Sequence, residues 1–475
     1  MQEQLVGRVV EQQLLESYLQ SGKSEFIAVY GRRRVGKTFL IRQVIGDKAS
    51  FSISGMENVT TNDQLLNFKI ALNRYGAIDQ ACTNWLEAFD LLITYLESLP
   101  NGNKIVFIDE MPWMDTPSSR FVSSLEHFWN DWASARNDIK LIVCGSATSW
   151  MMDNLINNHG GLHNRVTHQL LLEPFTLGEC REYFTRYGFG YSEREIVDCY
   201  MVLGGIPYYF SLMNSANSVA QNIDRLFFSP TGELRYEMTN LFRSLFRHSE
   251  SYVSIVEALS KKSKGLTRSE LLEVTKLNNN ARFTKMLDEL EYCRFIRKYQ
   301  DYGNKSRQTT YQLIDSFVHF YYSIIAKNPY QDEHFWSHSI LSPADHAWSG
   351  LAFEILCLNH IRQIKSALGI SGIQSQVYSW RAPKDMVINN KGAQIDLLID
   401  RADNCINVCE IKFAMDKYII SKAYEETLRN KLYLFSQNIG KRKTLRLTMI
   451  TTYGVLQNQH SHILQNEITM EQLFG

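Results

Sequence analysis

In the stretch EFIAVYGRRRVGKTFLIRQVI, the residues Gly31, Arg32, Arg33, Arg34, Val35, Gly36, Lys37 and Thr38 stand between an apolar run, Phe26 to Tyr30, and an amphipathic helical pattern. Glycines at both ends of such a loop let backbone N–H groups turn inward around a phosphate. A lysine then reaches the β and γ phosphates, and a threonine hydroxyl ligates Mg2+. A second run, KIVFIDE at 104–110, is a hydrophobic strand closed by two carboxylates. Asp109 is suited to hold Mg2+ through water and Glu110 to polarise an attacking water, as hydrolysis of a γ phosphate requires. A third run, LIVCGS at 141–146, ends in Ser146, which either senses that phosphate or merely closes a strand. Together these residues predict Mg2+-dependent binding and hydrolysis of ATP.

A second constellation lies toward the other end. In NVCEIKFAM, 407–415, Glu410 and Lys412 interrupt an apolar strand at a spacing of two. Both charges therefore share one face, with Cys409, Ile411 and Phe413 on the other. A carboxylate and an ammonium are costly to bury unless they are paired or hold something. QIDLLID at 394–400 predicts the preceding strand, joined by the turn RADN, and brings Asp396 close to them. AWSGLAFEILCLNHI reads as a helix with Trp348, Leu351, Ile355 and Leu358 as its buried stripe and Glu354 on the flank. A helix glutamate, a strand aspartate and Glu-x-Lys on the next strand make the plan of a metal-dependent phosphodiesterase. Carboxylates hold one or two hard cations, Mg2+ or Mn2+, and the lysine orients or deprotonates water. The bland alternative is a structural ion pair. Downstream, SKAYEETLRNKLYLF predicts a helix carrying Arg429 and Lys431, which either approach a phosphate or stay solvated.

Between the two lie the elements that must connect them. SYVSIVEALSKK, LTRSELLEVTKL and ARFTKMLDELEYCRFI give three helical periods, the second opening on Thr267 three residues before Glu270, a capping box. FIRKYQDY and QTTYQLID then alternate as two strands around GNKSR, so the order is that of a helix-turn-helix with a wing. Lys261 to Arg307 holds twelve basic and six acidic residues. If this element reads DNA, Arg282 and Lys285 face the groove, with Lys305 and Arg307 in the wing. If it is a lid or a protein-docking surface, those charges are solvated. Both readings stand on the sequence.

Four stretches, GRRRVGKT, FIDEMPW, CGSATSWM and GGIPYY, together resemble the archaeal-type ATPase family, a branch close to the AAA and STAND NTPases, over residues 1 to about 240. The resemblance implies that LVGRVVEQQLL helps cover the adenine and that Gly205 and Pro207 of a helical lid pack near the base. It also implies that Arg165 reaches the γ phosphate, in some relatives from a neighbouring subunit of a homo-oligomer. Residues 335 to 475 resemble the PD-(D/E)XK nuclease superfamily, with Asp396, Glu410 and Lys412 at its three motif positions and Glu354 at its helix position. Gln394 departs from relatives that carry an acid there, which removes one metal ligand.

The expected architecture is α/β: a P-loop NTPase parallel sheet with a helical lid in 1–240, a winged helix in 241–330, and a restriction-endonuclease-like α/β domain in 331–475. The expected function is an ATPase whose nucleotide state gates a metal-dependent nuclease-like domain acting on nucleic acid, in defence or mobile-element control. The rival is a nucleotide-dependent switch or scaffold whose nuclease-like domain binds without cutting. Fifty Lys and Arg against fifty Asp and Glu give no bulk basic signal. No apolar run approaches the ~20 residues of a membrane span and the start lacks a signal-peptide plan, so a cytoplasmic protein is expected. The eight cysteines contain no CxxC pair and predict reduced core residues.

Overall fold

The computed structural model describes residues 4–475 except 78–79, 157–161, 163, 247, 304–308, 328–331, 341, 383–392, 438 and 441. Within it the chain forms two compact units, Met1–Pro174 and Phe175–Gly475.

The first unit is built on five strands: β1 (Glu25–Tyr30), β2 (Ala49–Ser54), β3 (Lys104–Asp109), β4 (Ile139–Gly145) and β5 (His168–Leu171). All neighbours run parallel, in the order β2-β3-β4-β1-β5. A parallel sheet covered on both faces needs continuous apolar strands, and β3 and β4 are buried at every position. The crossover helices include Lys37–Ile45 after β1, and Thr61–Arg74 and Trp85–Ser98 between β2 and β3. The latter two are anchored by an aromatic cluster in which the ring of Trp85 lies 4.8 Å from Phe121 and 5.6 Å from Phe68. The order leaves β4 between β1 and β3, so the ends of all three strands open on one edge.

The second unit opens with two helices, Leu177–Arg186 and Glu193–Leu203, each started by a capping box, Thr176 with Glu179 and Ser192 with Glu195. Pro207–Ser211 begins a further short helix with proline in its first turn. Gly205 before it is obligatory: φ is 68°, and a Cβ there would lie 2.4 Å from the Phe175 carbonyl oxygen. Three helices, Ser249–Ser260, Arg268–Thr275 and Ala281–Tyr292, then accompany the antiparallel strands β6 (Leu266–Thr267), β7 (Ile296–Gln300) and β8 (Thr309–Leu313), ordered β6-β8-β7. The predicted capping box at Thr267 forms with Glu270.

After the helix Pro343–Asn359 comes a second five-stranded sheet: β9 (Ser375–Arg381), β10 (Gln394–Arg401), β11 (Cys405–Lys412), β12 (Thr444–Thr451) and β13 (Asn466–Thr469). Its order is β13-β12-β11-β10-β9, antiparallel from β9 to β11 and parallel from β11 to β13. The helix Lys422–Ser436 makes the crossover that the parallel β11–β12 pair requires. The register of β10 on β9 shifts between Ile395 and Leu398. Such bulges bend a strand and re-aim its side chains, and this one contains Asp396. Leu398 is fully buried in the core beneath. Leu398→Ala should therefore cost about 2–5 kcal/mol of stability, read as a lower urea midpoint, whereas an unchanged midpoint would place this residue outside the cooperative core.

Candidate functional sites

The loop after β1 has the shape of an anion cradle. Gly31 has φ 142°, Arg34 72° and Gly36 94°, and the helix beginning at Lys37 points its free N–H groups into the concavity. Gly31 is dictated by close approach: the Leu172 N–H bonds the Tyr30 carbonyl, and a Cβ on Gly31 would meet the Leu172 oxygen at 2.3 Å. Lys37 is buried, and its Nζ donates to the carbonyls of Gly31 (2.9 Å) and Arg32 (3.0 Å). Arg32 is buried too, while Arg33 and Arg34 are half-buried. The Val35 carbonyl accepts from Arg8 Nη2 at 3.3 Å, a brace across 27 positions that the sequence did not reveal.

Two further strand ends meet this loop. The Thr38 hydroxyl donates to Asp109 Oδ1 over 2.9 Å, and the same oxygen receives the Glu110 N–H (3.0 Å) and the Cys144 thiol (3.1 Å). Three donors on one oxygen fix the orientation of a buried carboxylate. Glu110 leaves β3 in the left-handed region, φ 45°, and its Oε2 accepts from both the N–H (3.1 Å) and hydroxyl (2.9 Å) of Ser146. Thr38, Asp109, Glu110 and Ser146 are thus one hydrogen-bonded group, with Lys37 next to Thr38 in the chain. Thr38 and Asp109 present neighbouring oxygens suited to share a hard cation, so these residues fit Mg2+. Arg165 is exposed in the turn before β5, and Pro207 belongs to the second unit.

Residues 5–213 match a family described as an ATPase domain predominantly from Archaea. They carry an ATPase domain of the archaeal type. An uncharacterised protein of Methanocaldococcus jannaschii is 27% identical over 330 residues, 68% of this chain and 69% of its own. Among solved structures, a Walker-type ATPase of Pyrococcus abyssi is 20% identical, with 68% of this chain and 97% of that one covered and a TM-score of 0.47. An ORC2 protein of Aeropyrum pernix, in complexes with ADPNP and ADP, is 14% identical, covering 75% and 96% of the two chains at a TM-score of 0.40. Within this domain the loop 31–38 and the ends of β3 and β4 lie together at one end of the sheet. No described helix of the chain is long and apolar enough to cross a membrane.

The second constellation lies in the C-terminal sheet. Asp396 and Glu410 sit one position beyond the Leu397–Cys409 pair of β10 and β11, and Lys412 ends β11. Glu354 comes from Pro343–Asn359, which packs on β11. Burial first, then the Asp396 carboxylate, pushes Glu354 up to about 8, against the pull of Arg297 and Lys412. Glu410 is buried and already occupied: Lys431 Nζ lies 2.5 Å from Oε1, and the Tyr424 hydroxyl donates to Oε2 over 3.1 Å. The Gln394 amide donates to Asp396, and Lys412 Nζ lies 5.4 Å from the centroid of the Tyr424 ring. Among the described residues no three His, Cys, Asp or Glu side chains gather tightly enough to enclose a metal ion. The donor types suit a hard cation; their arrangement does not form a ready cage for one.

Of the remaining candidates, Lys431 faces Glu410 whereas Arg429 pairs with Glu425 of its own helix at 2.6 Å. Arg282 and Lys285 are exposed on Ala281–Tyr292, and Lys305 and Arg307 lie outside the described residues. Ile411, expected on the packed face, is half-buried, while Glu410 is 5% exposed.

Two outcomes follow from this geometry. Gly31→Ala should weaken ATP binding at least about tenfold in a fluorescent-nucleotide titration, because the methyl meets the Leu172 carbonyl in a strained backbone; wild-type affinity would show that this approach does not shape the loop. For Glu354 the folded state holds its proton more tightly than the unfolded chain, whose ordinary value is 4.5. Its stability contribution is therefore complete below that value and is lost as pH rises through about 8. Glu354→Gln should match wild type near pH 4 to 5 and gain at least about 1 kcal/mol over it by pH 9 in urea denaturation with chelator. A gap independent of pH would contradict the raised value.

Proposed function

We propose that the chain couples ATP hydrolysis in its N-terminal part to nucleic-acid engagement by a nuclease-like C-terminal domain, in three functional parts, 1–240, 241–330 and 331–475. The observation that carries the ATPase half is the hydrogen bond from Thr38 to Asp109, which joins the phosphate loop to the acidic strand end. ATP enters with its phosphates on the N–H groups of residues 31–38, and Lys37 exchanges its bonds to the Gly31 and Arg32 carbonyls for β and γ oxygens. Bound Mg2+ supplies neutralisation of phosphate charge there, held by Thr38 and Asp109. Glu110 aligns the attacking water, and Ser146, now bonded to Glu110, reports whether the γ phosphate is present. Pro207 contacts the base and Arg165 reaches the γ phosphate from a second copy of the chain.

The β9–β13 sheet, its crossover helix and Pro343–Asn359 suit a PD-(D/E)XK-type fold, with Glu354, Asp396, Glu410 and Lys412 as the acting set. The helices 249–292 with β6–β8 suit a winged helix that presents Arg282 and Lys285 to DNA. ATP state gates the C-terminal domain, as a defence or mobile-element system requires. One observation favours the second reading, a switch that grips nucleic acid without cutting it: Glu410 is neutralised by Lys431 rather than left open.

Purified protein with Mg2+ or Mn2+ is expected to nick supercoiled plasmid DNA in an ATP-dependent manner, at a rate that falls at least about tenfold in Asp396→Ala. DNA binding that responds to ATP with no nicking under either metal would replace the nuclease with the switch.

A further inference from the structure

The second unit encloses a cavity of about 160 Å3 among the helices Glu193–Leu203, Val219–Ile223, Phe335–Ser339 and Pro343–Asn359 and the chain just after β11. One water needs ~10–15 Å3, and pockets for drug-sized ligands run to ~300–1,000 Å3, so this one suits a small metabolite. Its lining is largely aromatic. Trp336 and Trp348 meet at 88° with ring centroids 5.2 Å apart, and Phe413 lines the cavity with them. Ile340 and Met415, also on the lining, are 47% and 51% exposed and give access from solvent.

Two enclosed donors on this lining are unsatisfied. Trp348 is 5% exposed, and its Nε1–H has no acceptor among the described residues. Arg194 Nε–H donates to both Asp198 carboxylate oxygens (3.0 and 3.2 Å), Nη2 lies 3.5 Å from the Met415 sulfur, and the guanidinium stands 4.3 Å over the Phe413 ring. Arg194 Nη1 is enclosed and has no acceptor among the described residues. Leaving a buried donor unpaired costs about 1–3 kcal/mol, so an entering acceptor is favoured.

The charges add a second requirement. Asp198 and Asp345 line the cavity with Arg194, and His346 is the remaining titratable side chain there. One guanidinium does not offset two carboxylates, and a simple anion would bring a third negative charge into a partly buried site. A ligand that carries an acceptor and a cation a few bonds apart meets both requirements.

We propose that this cavity binds a small zwitterionic α-amino acid with an apolar side chain. Its carboxylate takes Arg194 Nη1 and the Trp348 indole N–H, its ammonium faces Asp345 and Asp198, and its side chain packs in the corner between Trp336 and Trp348. The site uses none of the residues assigned to the ATPase or to the nuclease-like set.

The test is isothermal titration of the nucleotide-free full-length protein with L-leucine, L-methionine and L-phenylalanine. At least one should bind with a Kd below about 1 mM. For L-leucine as the binder, 4-methylpentanoate, which lacks the ammonium, and 3-methylbutylamine, which lacks the carboxylate, should each bind at least about tenfold more weakly, the scale of a hydrogen bond to a charged group. Trp348→Phe keeps a ring and removes the N–H, and should weaken binding at least about fivefold. Ala220→Trp, on the lining, should abolish it by filling the space. Absence of binding by all three amino acids would show that the cavity holds water only and overturns the inference. So does wild-type affinity in both variants, which would put the ligand elsewhere, or equal binding of the amine-free analogue. Should Ala220→Trp fail to fold by circular dichroism, Trp348→Phe decides, and unchanged affinity there overturns the inference.

Discussion

Thr38 and Asp109 belong to elements that are not sheet neighbours, and the hydrogen bond between them spans the strand that separates β1 from β3. That contact requires β4 to lie in the middle, its end level with theirs, and it requires the loop after β1 to curl over the sheet edge. The curl in turn depends on Gly31, the residue type that tolerates both its φ and the Leu172 carbonyl. Once these conditions hold, Asp109 collects three donors, Glu110 is turned toward Ser146, and Lys37 is confined beneath the loop. The meeting of these side chains is therefore a consequence of strand order more than of any one residue.

The C-terminal sheet solves a different problem. Burying several carboxyl groups together is unfavourable in a medium of low polarity, and the chain offsets it with Lys431 on Glu410, an amide on Asp396 and a proton retained on Glu354. A group balanced in this way is stable without a bound cation. Charge placement within one compact unit, rather than loop closure, is what the fold has arranged here.

Much of this was legible in the sequence where the signal is local. The fully buried, mostly apolar runs of β3 and β4 and the capping box at Thr267 lie where periodicity and side-chain chemistry put them, because each is decided within a few residues. Asp396 across from Glu410 followed from a short turn joining two strands. What escaped is nonlocal. ASFSIS is too polar to announce β2, which is a sheet edge and half-buried. Arg8 braces a loop 27 residues away, and Asp301 bridges to Ser379, 78 residues downstream on β9; no spacing rule connects them. The alternation on β11 misled for the same reason: Glu410 is buried because a helix supplies Lys431 and Tyr424, a partner set that strand periodicity does not contain.

The central claim is that Asp109 and Glu110, adjacent at the end of β3, divide the tasks of holding Mg2+ and aligning water. Single-turnover hydrolysis of ATP by Glu110→Gln, with nucleotide binding measured on the same sample, tests it most directly. The account predicts ATP affinity within about threefold of wild type and hydrolysis slowed at least about a hundredfold, since general-base assistance contributes on that scale. Hydrolysis at the wild-type rate in Glu110→Gln would contradict it.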